Sequence, residues 1–165
     1  MVELELVGVR VEMPSNTPVM VLRELDGRHR SLSIFIGSPE ATAIAFAVEG
    51  VEMPRPLTHD LFCSVLDSLG AELERVVVTS LQGTTYHAEL HLDDGGQPLR
   101  LSCRPSDAVA LAVRAECPIF AEDEVLDEAG YVEEPEHDDE PEDSEEMVEE
   151  FRQFIDQVSP EDFAS

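Results

Sequence analysis

Shifting the chain against itself by 67 residues, with no gap, lays one half of its apolar pattern on the other. Val7-Gly8-Val9-Arg10-Val11 falls on Glu74-Arg75-Val76-Val77-Val78, and Asp26-Gly27 falls on Asp93-Asp94. Leu32 falls on Leu99, and Ile34-Phe35-Ile36 on Leu101-Ser102-Cys103. Glu40-Ala41-Thr42-Ala43-Ile44-Ala45 then falls on Asp107-Ala108-Val109-Ala110-Leu111-Ala112. Apolar strands match one another easily. An acid-Ala-x-Ala-aliphatic-Ala run in register with a turn and two strands does so far less often. The offset therefore points to an internal duplication, and it narrows the fold to two copies of one supersecondary unit.

Each copy reads β-β-β-α. In the first, strands near 2–13, 17–25 and 30–36 are separated by Pro14-Ser15-Asn16 and by Asp26-Gly27, a strong hairpin signal. Ser38-Pro39 opens a helix with proline where its missing N–H costs nothing. In the second, strands near 73–81, 84–92 and 98–103 precede a helix over 105–115. Both helices, about 39–49 and 105–115, are Ala-rich with small or apolar side chains on most faces, a pattern that implies close, buried packing. Between the halves, Thr58 is the expected N-cap of a third helix ending at Gly70. Leu61, Phe62, Val65, Leu66 and Leu69 form its expected buried stripe. The expected fold is α+β, with duplicated β-β-β-α units and a mainly antiparallel sheet covered by helices.

Charge divides the chain differently. Of its 37 acidic residues 17 lie from Asp127 onward, facing one arginine, whereas residues 1–126 carry 20 acids and nine arginines; there is no lysine. A net charge of −27 repels a polyanion at long range and excludes a broad, non-specific nucleic-acid coat, though not a local arginine pocket. Residues 1–126 are expected to form the folded domain. Residues 127–143 read as an acidic disordered linker, since Glu133 to Asp143 holds two prolines and no apolar side chain. In 144–165, Met147, Val148, Phe151, Phe154, Ile155 and Val158 fall on one helical face up to Ser159-Pro160, and an isolated helix of that length needs a surface to dock on. No apolar run approaches the roughly 20 residues that span a bilayer, and Met1-Val2-Glu3-Leu4-Glu5 lacks a cationic signal-peptide start. Three scattered cysteines argue for reduced thiols and a cytoplasmic location.

Reactive residues concentrate at three helix starts: Gly37-Ser38-Pro39-Glu40, Arg55-Pro56-Leu57-Thr58-His59-Asp60 and Arg104-Pro105-Ser106-Asp107. An acid in a first turn is favoured by the helix dipole whatever its function, so Glu40, Asp60 or Asp107 alone says little. Arg55 and Arg104 add guanidinium groups beside helix N-termini, where backbone N–H groups already favour an anion. Simple Arg–carboxylate bridging between loops is the competing use. His59 beside Asp60 is a candidate acid or base near neutral pH, and a capping histidine is the commoner outcome. His87 and His91 share a strand face about 13 Å apart and do not ligate one ion. His59 and Cys63, at i, i+4, fall short of a zinc set, and no P-loop, GxGxxG or GxSxG is present.

Ile36-Gly37-Ser38-Pro39-Glu40-Ala41, then Arg55-Pro56-Leu57-Thr58-His59-Asp60-Leu61, then Arg104-Pro105-Ser106-Asp107-Ala108-Val109-Ala110-Leu111-Ala112-Val113-Arg114 resemble the bacterial bifunctional nuclease family. The resemblance covers roughly 3–126 in three ordered motifs, and Phe151-Arg152-Gln153-Phe154 through Phe163 resembles the extension of actinobacterial members. It implies hydrolysis of DNA and RNA, an activity attributed to plant relatives whose different C-terminal module is not found here. The expectation is a nuclease in which Arg55, Arg104 and Ser106 bind the phosphate of a single-stranded nucleic acid. Glu40, Asp60 and Asp107 hold a divalent cation such as Mg²⁺ or orient water, and His59 serves as acid or base. The rival expectation is a non-enzymatic, homo-oligomeric interaction module whose C-terminal helix recruits a protein partner and whose Arg/acid clusters fix the helix starts.

Overall fold

The computed structural model describes residues 1–132, which form one compact unit from Met1 to Val132. The expectations for 133–143 and for the amphipathic segment at 144–158 lie outside the described residues. The unit runs past Leu126, so residues 127–132, expected in the linker, belong to the folded part.

The elements follow in the order β1 (Val2–Glu12), β2 (Thr17–Glu24), β3 (Arg30–Phe35), α1 (Ser38–Val48), α2 (Thr58–Leu69), β4 (Ala71–Gln82), β5 (Thr85–Asp94), β6 (Gln97–Cys103), α3 (Pro105–Ala115), β7 (Ile119–Ala121), α4 (Asp123–Ala129) and β8 (Tyr131–Val132). The eight strands make one sheet ordered β6-β5-β4-β7-β1-β2-β3-β8. Two three-strand meanders thus flank the short β7. All neighbours are antiparallel except β4 and β7. The fold is α+β, as the pattern of apolar alternation and tight turns requires. The bounds of α1 and α3 differ by 67 residues at both ends, and β1–β3 and β4–β6 follow the same offset to within a few residues.

One face of the sheet supplies Leu4, Met20, Leu22, Leu32, Ile34, Val76, Val78, Leu90 and Leu92 to a single core, and α1 and α3 close it with Ala41, Ile44, Ala108, Val109, Leu111 and Ala112. Helix α3 is the central one: α1 and α2 each pack on it, and it lies over β4 and β5. Seven of its eleven residues are buried. In α1 only Ala41, Ala43 and Ile44 are buried; among the described helices its main packing partner is α3.

Helix α2 departs from expectation twice. Leu57, not Thr58, is its N-cap, and the cap is made by Asp60, whose carboxylate accepts from the Leu57 N–H at 2.9 Å. Its stripe is not buried: Leu61, Phe62, Val65 and Leu69 are exposed, while Leu66 and Cys63, on the inner side, pack against the core. Gly70 ends the helix in the left-handed conformation (φ 75°), which suits a residue without Cβ.

Candidate functional site at three helix starts

The starts of α1, α2 and α3 meet at Asp107. Its Oδ1 lies 3.1 Å from His59 Nε2, and its Oδ2 accepts from Arg104 Nε at 2.7 Å. Arg104 Nη2 donates to Asp107 Oδ1 at 3.0 Å and to Glu40 Oε1 at 2.7 Å. One arginine thereby ties α1 to α3, and one aspartate ties α3 to α2. Burial pushes the Asp107 carboxyl up, but the hydrogen bonds from Arg104 and His59 outweigh it and hold the group below its ordinary range. With Asp107 ionised, His59 Nε2–H is the donor in their hydrogen bond.

Glu40 reaches Arg104 because Gly37 makes room: a Cβ there would collide with the end of the Glu40 side chain. The Arg104 guanidinium is raised in pKa by Asp107 and then by Glu40, so it stays charged at any working pH. It is nevertheless 64% exposed, and its Nη1 makes no hydrogen bond among the described residues.

Asp60 belongs to a second ion pair. It accepts from Arg114 Nε, while Arg114 also donates to the carbonyls of Ala110 (2.7 Å) and Ala43 (3.1 Å). The Arg114 hydrogen bond, followed by the Leu57 N–H, pulls the Asp60 carboxyl down. The expected convergence therefore splits: His59, Arg104, Asp107 and Glu40 form one bonded set, and Asp60 turns to Arg114 on the neighbouring turn of the three-helix junction. Arg55 is exposed and makes no ion pair or side-chain hydrogen bond among the described residues. Arg114 stands at the end of the third motif, in the last turn of α3, but nothing local marks the acid it meets 54 residues away.

Two clefts open on this set. One, of about 340 Å³, is lined by Thr58, His59, Phe62, Leu90, Leu101, Ser102, Cys103, Asp107 and Leu111. The other, of about 360 Å³, is lined by Arg104, Pro105, Ser106, Gly37, Ile34, Phe35, Ile36, Thr84, Thr85 and Tyr86. Ser106 is buried at its wall, and Phe35 stands largely exposed. Cys103 is a free thiol that burial pushes up to about 11, which leaves it protonated and a poor nucleophile at neutral pH. Among the described residues no three His, Cys, Asp or Glu side chains converge to hold a metal ion, and the carboxylates of Glu40 and Asp107 are bridged by Arg104. No helix among them is long and apolar enough to cross a membrane.

The bifunctional nuclease domain matches residues 20–134 of this chain, a span that holds all three helix starts. The chain belongs to the bifunctional nuclease domain family. Across 163 residues it is 46% identical to an uncharacterized protein of Mycobacterium tuberculosis, covering 98% of this chain and 97% of the relative. It is 30% identical over 115 residues to Bifunctional nuclease 2 of Oryza sativa subsp. japonica, covering 68% of this chain and 35% of that protein. To Bifunctional nuclease 2 of Arabidopsis thaliana it is 30% identical over 112 residues, 65% of this chain and 34% of that protein. The chain thus spans about a third of the length of the plant relatives it matches. The likeness to the Mycobacterium protein runs over nearly the whole chain, its acidic C-terminal segment included.

Proposed function

We propose that this chain hydrolyses phosphodiester bonds of single-stranded nucleic acid at the His59–Asp107 pair. The observation that carries the proposal is the placing of Asp107 between a histidine and an exposed arginine, with Asp107 and His59 lining one cleft and Arg104 the other. Asp107 fixes the imidazole through Nε2–H, so that Nδ1 accepts a proton from the attacking water; such general-base assistance contributes about 10²–10⁴ in rate. Arg104 offers the phosphate its unengaged Nη1 while Glu40 holds the guanidinium in place, and a fixed cation is worth most where negative charge develops. Ser106 lines the Arg104 cleft, where Phe35 and Tyr86 offer faces on which unpaired bases stack. Asp60 positions His59 by anchoring the first turn of α2 to Arg114, and Arg55 adds long-range attraction from outside the bonded set. Among the described residues the His, Cys, Asp and Glu side chains do not by themselves make a site for a divalent cation.

A second reading rests on one observation: each arginine of the junction is already answered by a carboxylate. The cluster then serves only to lock three helix starts, in a protein whose role is to bind other proteins. Cleavage of end-labelled single-stranded DNA and RNA by the purified protein, with EDTA and with added Mg²⁺ or Mn²⁺, separates the two. The nuclease reading expects cleavage that His59→Ala and Asp107→Asn lower at least about 100-fold with the fold retained. Equal cleavage by wild type and His59→Ala, or none under any condition, leaves the interaction module.

A further inference from the structure

The Arg104 cleft holds about 360 Å³, within the range of small-molecule sites, and is walled by the starts of α3 and α1 and by the β4–β5 turn. Arg104 is the one charged side chain among its described walls, although residues 1–126 hold 20 acids. Glu40 and Asp107 hold Arg104 without lining the cleft. Ser106 is 6% exposed, its hydroxyl has no hydrogen-bond partner among the described residues, and the little it exposes opens on this cleft. An almost buried hydroxyl without a protein partner points to a group that arrives with a ligand. The start of α3 adds further donors beside it. Pro105 has no N–H, the N-cap Arg104 gives no side-chain acceptor, and the first backbone bond of the helix runs from Ala108 N–H to the Arg104 carbonyl at 3.0 Å. The N–H groups of Ser106 and Asp107 therefore lack a helical acceptor, at the positive end of an 11-residue helix.

From this geometry we infer that the cleft binds a phosphate monoester borne by a nucleoside, either a mononucleotide or the phosphorylated end of a strand. The two N–H groups, the Ser106 hydroxyl, the unengaged Arg104 Nη1 and the hydroxyls of Thr84 and Thr85 line or border one space. That supply of donors suits the three terminal oxygens of a monoester, which carries a charge of about −1.5 to −2 at pH 7, better than the two unbridged oxygens of a diester. Phe35, 64% exposed, and Tyr86 stand at the same cleft and give a base a face to stack on. A simple anion leaves that aromatic wall unused, and a neutral nucleoside leaves Ser106 and the N–H groups unanswered. His59 lines the other cleft, with Arg104 and Asp107 between the two. A strand held by its phosphorylated end thus presents a neighbouring diester to His59, and the chain trims nucleotides from that end. This last step rests on the nuclease reading; the binding of the monoester does not.

Calorimetric titration of the full chain in EDTA with adenosine 5′-monophosphate, its 3′,5′-cyclic diester, adenosine and inorganic phosphate tests the site. The monophosphate is expected to bind at least about tenfold tighter than each of the other three. Ser106→Ala is expected to weaken it at least about tenfold, and Phe35→Ala at least about fivefold with phosphate affinity unchanged. Phe35 is exposed, so its variant reads the site whether or not Ser106→Ala folds. No binding of the monophosphate up to about 10 mM overturns the proposal. So does a cyclic diester or adenosine that binds as tightly, or full affinity in both variants. Fluorescence anisotropy with short oligonucleotides phosphorylated at the 5′ end, at the 3′ end or at neither distinguishes the two sources of the monoester. Tighter binding of a phosphorylated strand assigns the cleft to strand ends; equal binding of all three, beside a tight monophosphate, assigns it to the free nucleotide. The trimming has its own readout: a phosphorylated strand is cleaved with kcat/KM at least about tenfold above the unphosphorylated one, and equal values overturn it. A wild type that cleaves nothing overturns the nuclease reading and the trimming, while the titration still decides the site.

Discussion

Glu24, at the end of β2, is 3% exposed and accepts three hydrogen bonds from Arg30, one from the backbone N–H (2.8 Å) and two from the guanidinium (3.1 and 2.6 Å). Arg30 Nη1 continues to Asp127 of α4 at 2.6 Å. Glu24→Gln keeps the volume and removes the charge, which leaves a largely buried guanidinium answered only by an aspartate that is 65% exposed. Breaking one side of a buried pair costs about 3–5 kcal/mol, and the surviving Asp127 contact puts the cost near the lower end, about 3 kcal/mol. For a folded unit of this size each kcal/mol moves the midpoint by about 4 °C, so a fall of about 12 °C is expected by circular dichroism at pH 7. Asp127→Asn, at the exposed end, should cost under about 1 kcal/mol. Glu24→Leu with Arg30→Met, which empties the site of charge, should recover most of the loss. The pH dependence has a definite sign. Arg30 holds the Glu24 carboxyl below its ordinary value, so its stabilisation is complete above the unfolded-state pKa and is lost as pH falls through the lower, folded value. Wild type should therefore show a steeper acid limb than Glu24→Gln. A Glu24→Gln protein within about 1 kcal/mol of wild type at pH 7 would refute the reasoning.

Asp60 and Asp107 are also held below their ordinary range, by Arg114 and by Arg104 with His59, so they add to the same loss of stability on acidification. Asp60→Asn should flatten the acid limb of an unfolding titration below about pH 4. Gly37→Ala should push the Glu40 carboxylate off Arg104 and lower cleavage severalfold for under about 1 kcal/mol of stability, because only the end of a flexible side chain must move; unchanged kcat/KM would show that Glu40 does not position the arginine. Gly70→Ala forces a side chain into the left-handed cap of α2 and should cost about 1 kcal/mol in a denaturant titration.

What was legible in the sequence is what local chemistry decides. Asp26-Gly27, Ser38-Pro39, Arg104-Pro105 and Gly70 punctuate the chain, and the elements between them fall where periodicity puts them. The elements missed were β7, α4 and β8, of three, seven and two residues. None is long enough to show a period, and β7 is a strand only because β4 and β1 leave a gap that Ile119 and Ala121 fill. The stripe of α2 is apolar, as its spacing indicates, yet it is exposed, since spacing reveals a face and not what meets it. The site follows the same division. That Glu40, His59, Arg104 and Asp107 lie at helix starts was plain; that Asp60 turns to Arg114 was not, because the partner is chosen by the packing of α2 on α3.

Strand β7 has a consequence in time. The two meanders never pair with each other; β1 and β4 are joined solely through β7, which places Val2 opposite Ala121 and Val78 beside the same residue. During synthesis the first meander can zip up once Phe35 has emerged, yet its inner edge, β1, must wait with unpaired N–H and C=O groups until residues 119–121 arrive. At about 5–20 residues per second that wait lasts several seconds, during which an open strand edge is exposed to any chain that offers a match. The second meander, its helix and β7 follow without interruption, so the late half need only present a three-residue strip for the whole sheet to close.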